Sequence, residues 1–354
     1  MTGNVPPGAC LALDFAPMNN QRRADGSLQH LITLEGLARS ELEALLARAQ
    51  HYVRPLGARP PTSRALEGLT VGNLFTEPST RTRVSFELAA RRLGAEVVNI
   101  EVQLSSRMKG ETMLDTIRTL ESLHFDAFVI RDSEAGVVAH VAANVAPHVS
   151  VFSAGEAHLS HPTQGLLDAL TVRQHKGDDF GRLCVAIVGD LRNSRVARSG
   201  YEVFTGLGVG ELRMVAPPSL MPPAGVFPAG RRFESLEDGV RDADVVMMLR
   251  IQKERMAQAE IPDGDEYFAR YGLDSRRLAM AKPDAIVMHP QPMNRGIEIA
   301  SDVADGPQSV IRDQVRNGVA VRMAVLELVA RPRPHAGSHG GPHGGPHGGQ
   351  GQAR

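Results

Sequence analysis

Residues 70–75 read as a short apolar strand, residues 84–94 as a helix and residues 96–100 as a second strand, and that order leaves few folds open. Two strands joined through a helix pair in parallel with a right-handed crossover, because a right-twisted strand feeding a right-handed helix packs back on its sheet only that way. The alternation continues. Strand-like runs at 126–131, 149–152, 183–190, 211–216, 243–250 and 285–288 are interleaved with helical periodicity, and Gln308 to Ala330 carries Ile311, Val315, Val319, Met323 and Leu326 in one row. The expected class is α/β: two Rossmann-like domains, each a parallel sheet flanked by helices and linked by crossing helices. A chain of 354 residues is long enough for two domains with a core apiece.

The helix start at 77–83 is the first chemical signal. Glu77-Pro78-Ser79-Thr80-Arg81-Thr82-Arg83 places hydroxyls and two arginines in a first turn, where acids are ordinarily preferred. Unpaired backbone N–H groups, hydroxyl donors and a planar guanidinium together suit a phosphate or another compact, doubly charged anion. Ser and Thr are also common N-caps, so the hydroxyls have a purely structural reading as well.

Other positions carry similar pairs of readings. Arg131 closes a strand at its carboxyl end, where open α/β sheets bind ligands, and a strand-end surface arginine is the alternative. His161-Pro162-Thr163-Gln164 opens a helix with His161 and Gln164 on one face; a capping or packed histidine competes with a planar-ligand site. Lys109 lies in a glycine-containing polar loop and, taken alone, reads as solvated. Residues 183–189 followed by a helix from Ser194 resemble the opening of a dinucleotide-binding unit. The turn Gly189-Asp190-Leu191-Arg192-Asn193-Ser194-Arg195 lacks the second and third glycines, which rejects a nicotinamide cofactor. Arg195 stands at that helix start, and Arg250 and Gln252 alternate so that both face one way.

Composition excludes more than it selects. Lys and Arg number 39 against 40 Asp and Glu, so there is no general electrostatic case for nucleic acid. Two cysteines, Cys10 and Cys184, make no disulfide framework and point to a reducing, cytoplasmic compartment. No apolar run spans a membrane, and the leader lacks the pattern of a secretion signal. No P-loop motif occurs.

Ser79-Thr80-Arg81-Thr82-Arg83, the Lys109-Gly110-Glu111-Thr112 loop, His161-Pro162-Thr163-Gln164, Arg250-Ile251-Gln252 and His289-Pro290-Gln291-Pro292 occur in the order found in the aspartate/ornithine carbamoyltransferase family, which the chain resembles from about residue 29 to 330. The resemblance implies transfer of a carbamoyl group from carbamoyl phosphate, with neither metal nor cofactor. It implies that Ser79, Thr80, Arg81 and Thr82 hold the phosphate, with Ser105 and Lys109 reaching in from a neighbouring subunit. Thr82, Arg131 and His161 would meet the carbonyl oxygen. Gln164 and backbone carbonyls at Pro290 and Gln291, before Pro292, would accept from the carbamoyl amide. Arg195, Arg250 and Gln252, assisted by Lys109, would grip both carboxylates of L-aspartate. The peptide between Gln291 and Pro292 would be cis; glutamine there departs from the small or aliphatic residue usual in aspartate enzymes.

An arginine pair suits a dicarboxylate and repels ornithine's cationic tail, so aspartate is the expected acceptor. Another acceptor such as ornithine, or a catalytically silent scaffold subunit, is the alternative. The expected organisation is a flexible extension over 1–27, a carbamoyl-phosphate domain over 28–160 plus 307–331, an aspartate domain over 161–306 and a disordered Gly/His/Pro tail over 332–354. The tail's His335, His339, His343 and His347 read as solvated rather than as a metal site. By resemblance the assembly is a homotrimer with shared sites, and the extension raises dihydroorotase-like or regulatory chains as further partners.

Overall fold

The computed structural model describes residues 21–100, 112–252 and 263–330. The first half holds α1 (Arg39–Tyr52), β1 (Thr70–Phe75), α2 (Thr80–Arg92), β2 (Glu96–Ile100), α3 (Met113–Ser122), β3 (Ala127–Asp132), α4 (Val137–Ala142) and β4 (Ser150–Glu156). The second half runs α5 (Pro162–Lys176), β5 (Cys184–Val188), α6 (Arg195–Gly206), β6 (Glu211–Val215), β7 (Arg231–Phe233), α7 (Leu236–Val240), β8 (Val245–Met248), α8 (Gly264–Tyr271), α9 (Ser275–Leu278), β9 (Ile286–Met288), α10 (Ser301–Ala304) and α11 (Ile311–Val329). The molecule is α/β, with two parallel sheets ordered β2-β1-β3-β4 and β7-β6-β5-β8-β9.

The sequence explains the layering. Every residue of β5, Cys-Val-Ala-Ile-Val, is buried, as expected for a parallel strand covered on both faces. β2 is an edge strand whose residues are all exposed or half-buried. In each sheet the order reverses beside the first strand, at β1/β3 and at β5/β8, and the carboxyl ends there form crevices.

The halves share an interior. One core cluster contains Val71, Val129 and Phe152 of the first sheet together with Val185, Ile187 and Val246 of the second. A smaller cluster around Leu74, Phe128 and Ile130 fills the first sheet's other face. α11 returns to the first half and packs on α1, α2 and α5, while α5 packs on α6.

On α2, Val84 and Leu88 are exposed, while Phe86, Ala89 and Ala90 are buried. One apolar row departs from expectation. On α11, Ile311, Met323 and Leu326 are buried, yet Val315 is 50% exposed and Val319 half-buried. Val84, Leu88, Val315 and Val319 all line the cavity described below, which leaves them uncovered. Order also begins before residue 28. The buried Gln21 accepts from the backbone N–H groups of Ile32 and Thr33, and Arg22 pairs with Glu41 at 2.6 Å. No helix among the described residues is long and apolar enough to cross a membrane.

Candidate active site

The chain leaves β1 through Thr76 and turns at Glu77 and Pro78 into α2. Ser79 is the N-cap, but its hydroxyl makes no capping hydrogen bond, and the first turn holds no acid. The capping reading of these hydroxyls therefore fails for Ser79. What stands there, among the described residues, is a helix start with no acid in its first turn, a hydroxyl not used for capping and Arg81 exposed beside it. Thr82 is buried one residue further in.

Two guanidiniums from different sheets meet behind this turn. Arg131, from the end of β3, donates to the Ala154 carbonyl at 3.2 Å and lies 3.5 Å from Glu77. Arg195, the first residue of α6, is buried and pairs with Glu77 Oε1 at 2.7 Å. Gly155 sits between them with φ +116°; a Cβ there would lie 3.1 Å from both guanidinium groups. Both the conformation and the close approach require glycine.

His161 is the N-cap of α5, again without a side-chain capping bond. Its backbone N–H donates to Ser199 Oγ at 2.8 Å, which ties α5 to α6. Burial, followed by the positive charges of Arg322, Arg131 and Arg195, holds the imidazole well below its ordinary value, so it is neutral at physiological pH. Its Nδ1 has no hydrogen-bond partner among the described residues. One turn on, Gln164 donates through Nε2 to Asp168 at 3.0 Å.

The second sheet supplies the opposite wall. β8 ends at Met248, so Arg250 and Gln252 follow it in irregular chain instead of lying on a strand. The fully buried Asp190 accepts from the Asn193 N–H at 3.0 Å and from the Gln252 N–H at 3.4 Å. The Asp190 carboxylate thus ties the turn after β5 to the chain after β8. After β9, His289 accepts the Gln291 N–H on Nδ1 at 2.9 Å, so its Nε2 carries the proton and donates to the buried Glu298 at 3.2 Å. Gln291 has φ +58°, and the Gln291–Pro292 peptide is cis.

These elements enclose one cavity of about 730 Å³. It is lined by Ser79, Thr80, Arg81, Thr82, Arg131, His161, Gln164, Arg195, Arg250, Gln252, Pro290, Gln291 and Pro292. Ser105 and Lys109 lie outside the described residues, as do the tail histidines and residues 1–20. Every segment contributing to the wall from a sheet follows a strand's carboxyl end: β1, β3, β4, β5, β8 and β9. Three contributors escaped sequence reasoning. Glu77 bridges Arg131 and Arg195, while Gln314 and Arg322 enter from α11. Arg322 is buried over the Phe86 ring at 5.0 Å, and burial lowers it to about 10. The available signal was polar residues interrupting a buried helix face. Among the described residues no cluster of His, Cys, Asp or Glu could hold a metal ion.

Comparison with known proteins bears on the same residues. A family model described as the carbamoyl-phosphate-binding domain of aspartate/ornithine carbamoyltransferase matches residues 29–174, and one described as the Asp/Orn-binding domain matches 182–329. The aspartate transcarbamoylase of Trypanosoma cruzi, solved with carbamoyl aspartate and phosphate, is 31% identical over 87% of this chain and 98% of its own, with a TM-score of 0.75. The ornithine carbamoyltransferase of Pyrococcus furiosus is 30% identical over 85% of this chain and 97% of its own, with a TM-score of 0.76. That of Thermus thermophilus, 24% identical over 86% and 99%, shares the fold at a TM-score of 0.75. Identity does not separate the two acceptor types, which leaves the acceptor to be argued from the cavity.

Proposed function

The chain belongs to the aspartate/ornithine carbamoyltransferase family and transfers a carbamoyl group from carbamoyl phosphate to an amino acid, and from that premise we propose that the acceptor is L-aspartate. The observation that carries this reading is the charge of the cavity wall. Five arginines, Arg81, Arg131, Arg195, Arg250 and Arg322, line it against a single carboxylate, Glu77, among the described residues. That carboxylate is already engaged by two of the arginines. Such a wall suits a phosphate and a dicarboxylate together and opposes the ammonium tail of ornithine.

In this reading the α2 start, with Ser79, Thr80, Arg81 and Thr82, holds the phosphate, joined by Ser105 and Lys109 of a neighbouring subunit in a homotrimer. Thr82, Arg131 and neutral His161 donate to the carbonyl oxygen as negative charge develops there. Gln164 and the carbonyls of Pro290 and Gln291 accept from the carbamoyl NH2. Arg195, Arg250 and Gln252, with Lys109, orient aspartate so that its amine faces the carbonyl carbon. The C–N bond forms, the C–O bond to phosphate breaks, and the departing phosphate takes the amine proton. The product, N-carbamoyl-L-aspartate, would feed pyrimidine synthesis. The division into a carbamoyl-phosphate domain and an aspartate domain, and docking of further chains on the extension, belong to the same proposal.

The test is phosphate release from carbamoyl phosphate with L-aspartate or L-ornithine, for wild type and Arg250→Ala. Turnover with aspartate alone, with its KM raised at least about tenfold in the variant, is the expected result. Turnover with ornithine instead would overturn the acceptor assignment. Silence with both would favour a scaffold subunit.

A further inference from the structure

Two glutamines from different helices share one carboxylate oxygen behind the cavity wall. Asp168 lies one turn beyond Gln164 on α5 and is fully buried. Its Oδ1 accepts from Gln164 Nε2 at 3.0 Å and from Gln314 Nε2 of α11 at 2.8 Å. Gln314 uses its other end, Oε1, to accept the His289 N–H at 2.9 Å, at the root of the 289–292 loop.

A primary amide has a donor end and an acceptor end, and in neutral surroundings either can face inward. A carboxylate oxygen removes that freedom, because it only accepts. With both nitrogens turned toward Asp168, both carbonyl oxygens turn away. For Gln314 the oxygen meets the His289 backbone; for Gln164, which lines the cavity, the oxygen is the end left for a ligand.

We propose that Asp168 is a positioning residue that locks the Gln164 amide with its carbonyl oxygen presented to the NH2 group of carbamoyl phosphate, so that the enzyme distinguishes a carbamoyl phosphate from an acyl phosphate of the same shape. This rests on the role of Gln164 proposed above. Asp168 touches no substrate; it selects which end of another residue does. Burial pushes its carboxyl up to about 7, and Oδ2 has no partner among the described residues. A proton carried on Oδ2 leaves Oδ1 an acceptor, so the selection holds in both protonation states.

Acetyl phosphate is the probe, since it replaces NH2 with a methyl group and keeps the phosphate. Carbamoyl phosphate, acetyl phosphate and inorganic phosphate are titrated without acceptor into the full-length enzyme. The proteins compared are wild type, Asp168→Asn, Asp168→Ala, Gln164→Ala and the Asp168→Asn/Gln164→Ala double variant, with thermal melts in parallel. Asparagine offers an NH2 that lets Gln164 turn round; alanine removes the acceptor and serves if the asparagine protein does not fold. Wild type is expected to prefer carbamoyl phosphate over acetyl phosphate. Each Asp168 variant should lose roughly five- to tenfold in carbamoyl phosphate affinity, while the other two ligands change by less than about twofold. The double variant should bind carbamoyl phosphate no worse than Gln164→Ala alone.

Equal weakening of all three ligands would overturn the proposal, making Asp168 only a structural anchor. Additive losses in the double variant would overturn it too, since Asp168 would then act elsewhere than through Gln164. If wild type shows no preference and Gln164→Ala binds normally, the role of Gln164 itself fails and takes this inference with it.

Discussion

At His161, burial and three neighbouring guanidiniums act in the same direction, and the imidazole is neutral as a result. A neutral imidazole can donate one hydrogen bond to a carbonyl oxygen without delivering a full charge. His161→Gln is therefore expected to lower kcat about 10²-fold, the cost of one donor at a developing oxyanion, with KM for carbamoyl phosphate changed much less. The same burial sets a pH signature. The folded protein resists protonating this ring, while the unfolded chain protonates it near the ordinary 6.5. The stability contributed by the neutral ring is complete above that value and is lost as pH falls through it. Thermal melts between about pH 7.5 and 5 should show wild type losing more stability than His161→Gln; parallel curves would mean the ring is not held neutral. Asp168 has the opposite sign. Its acid form is favoured in the fold, so its contribution is lost as pH rises through about 7.

Among elements, the contact of α5 with α6 does most to fix the site, because α5 carries His161 and Gln164 and α6 begins with Arg195. The helices approach closely at Gly165. A Cβ there would stand 2.6 Å from the Ser199 carbonyl oxygen and 2.9 Å from a methyl of Leu34. Backbone cannot yield as a flexible side chain can. Gly165→Ala is expected to destabilise the fold by about 1–3 kcal/mol, read as a lower denaturant midpoint at unchanged slope. Ser199 also accepts the His161 N–H, so the displaced helix should weaken carbamoyl phosphate binding beyond what lost stability explains. An unchanged midpoint would show that the helices move apart freely. α11 has a comparable role from the other side, placing Gln314 and Arg322 against the cavity.

For the whole molecule, Glu77 is one tie between the halves, since it follows β1 of the first sheet and pairs with Arg195 at the start of α6. The cavity so formed holds no lysine among the described residues, and the proposed homotrimer would supply Lys109 from a neighbour. Arg81→Ala and Lys109→Ala should each be nearly inactive alone. Mixed under conditions that allow subunit exchange, they should recover about a quarter of the wild-type rate, the product of two even chances in a randomly reassorted ring. No recovery despite demonstrated exchange would place Lys109 in the same subunit's site or outside catalysis.

The α/β class and the parallel sheets were legible in the chain because strand runs and helical periodicity are local patterns; of thirteen cavity-lining residues, those at the starts of α2 and α5 were legible from helix-start chemistry, while Pro290, Gln291 and Pro292 rested on the family resemblance alone. Glu77 was legible only as the start of a motif; its partners lie 54 and 118 residues away, and nothing in the intervening chain encodes that meeting. Val315 belongs to the apolar row read on α11, yet it is exposed because it lines the cavity, which exists only where distant segments meet. The orientation of Gln164 depends on an aspartate one turn away, and that of Gln314 on the same oxygen reached across 146 residues. Residue type and order determined what chemistry this protein can do. Which end of each polar group faces the cavity was decided only by tertiary packing, because a buried donor must find its acceptor wherever the fold brings one.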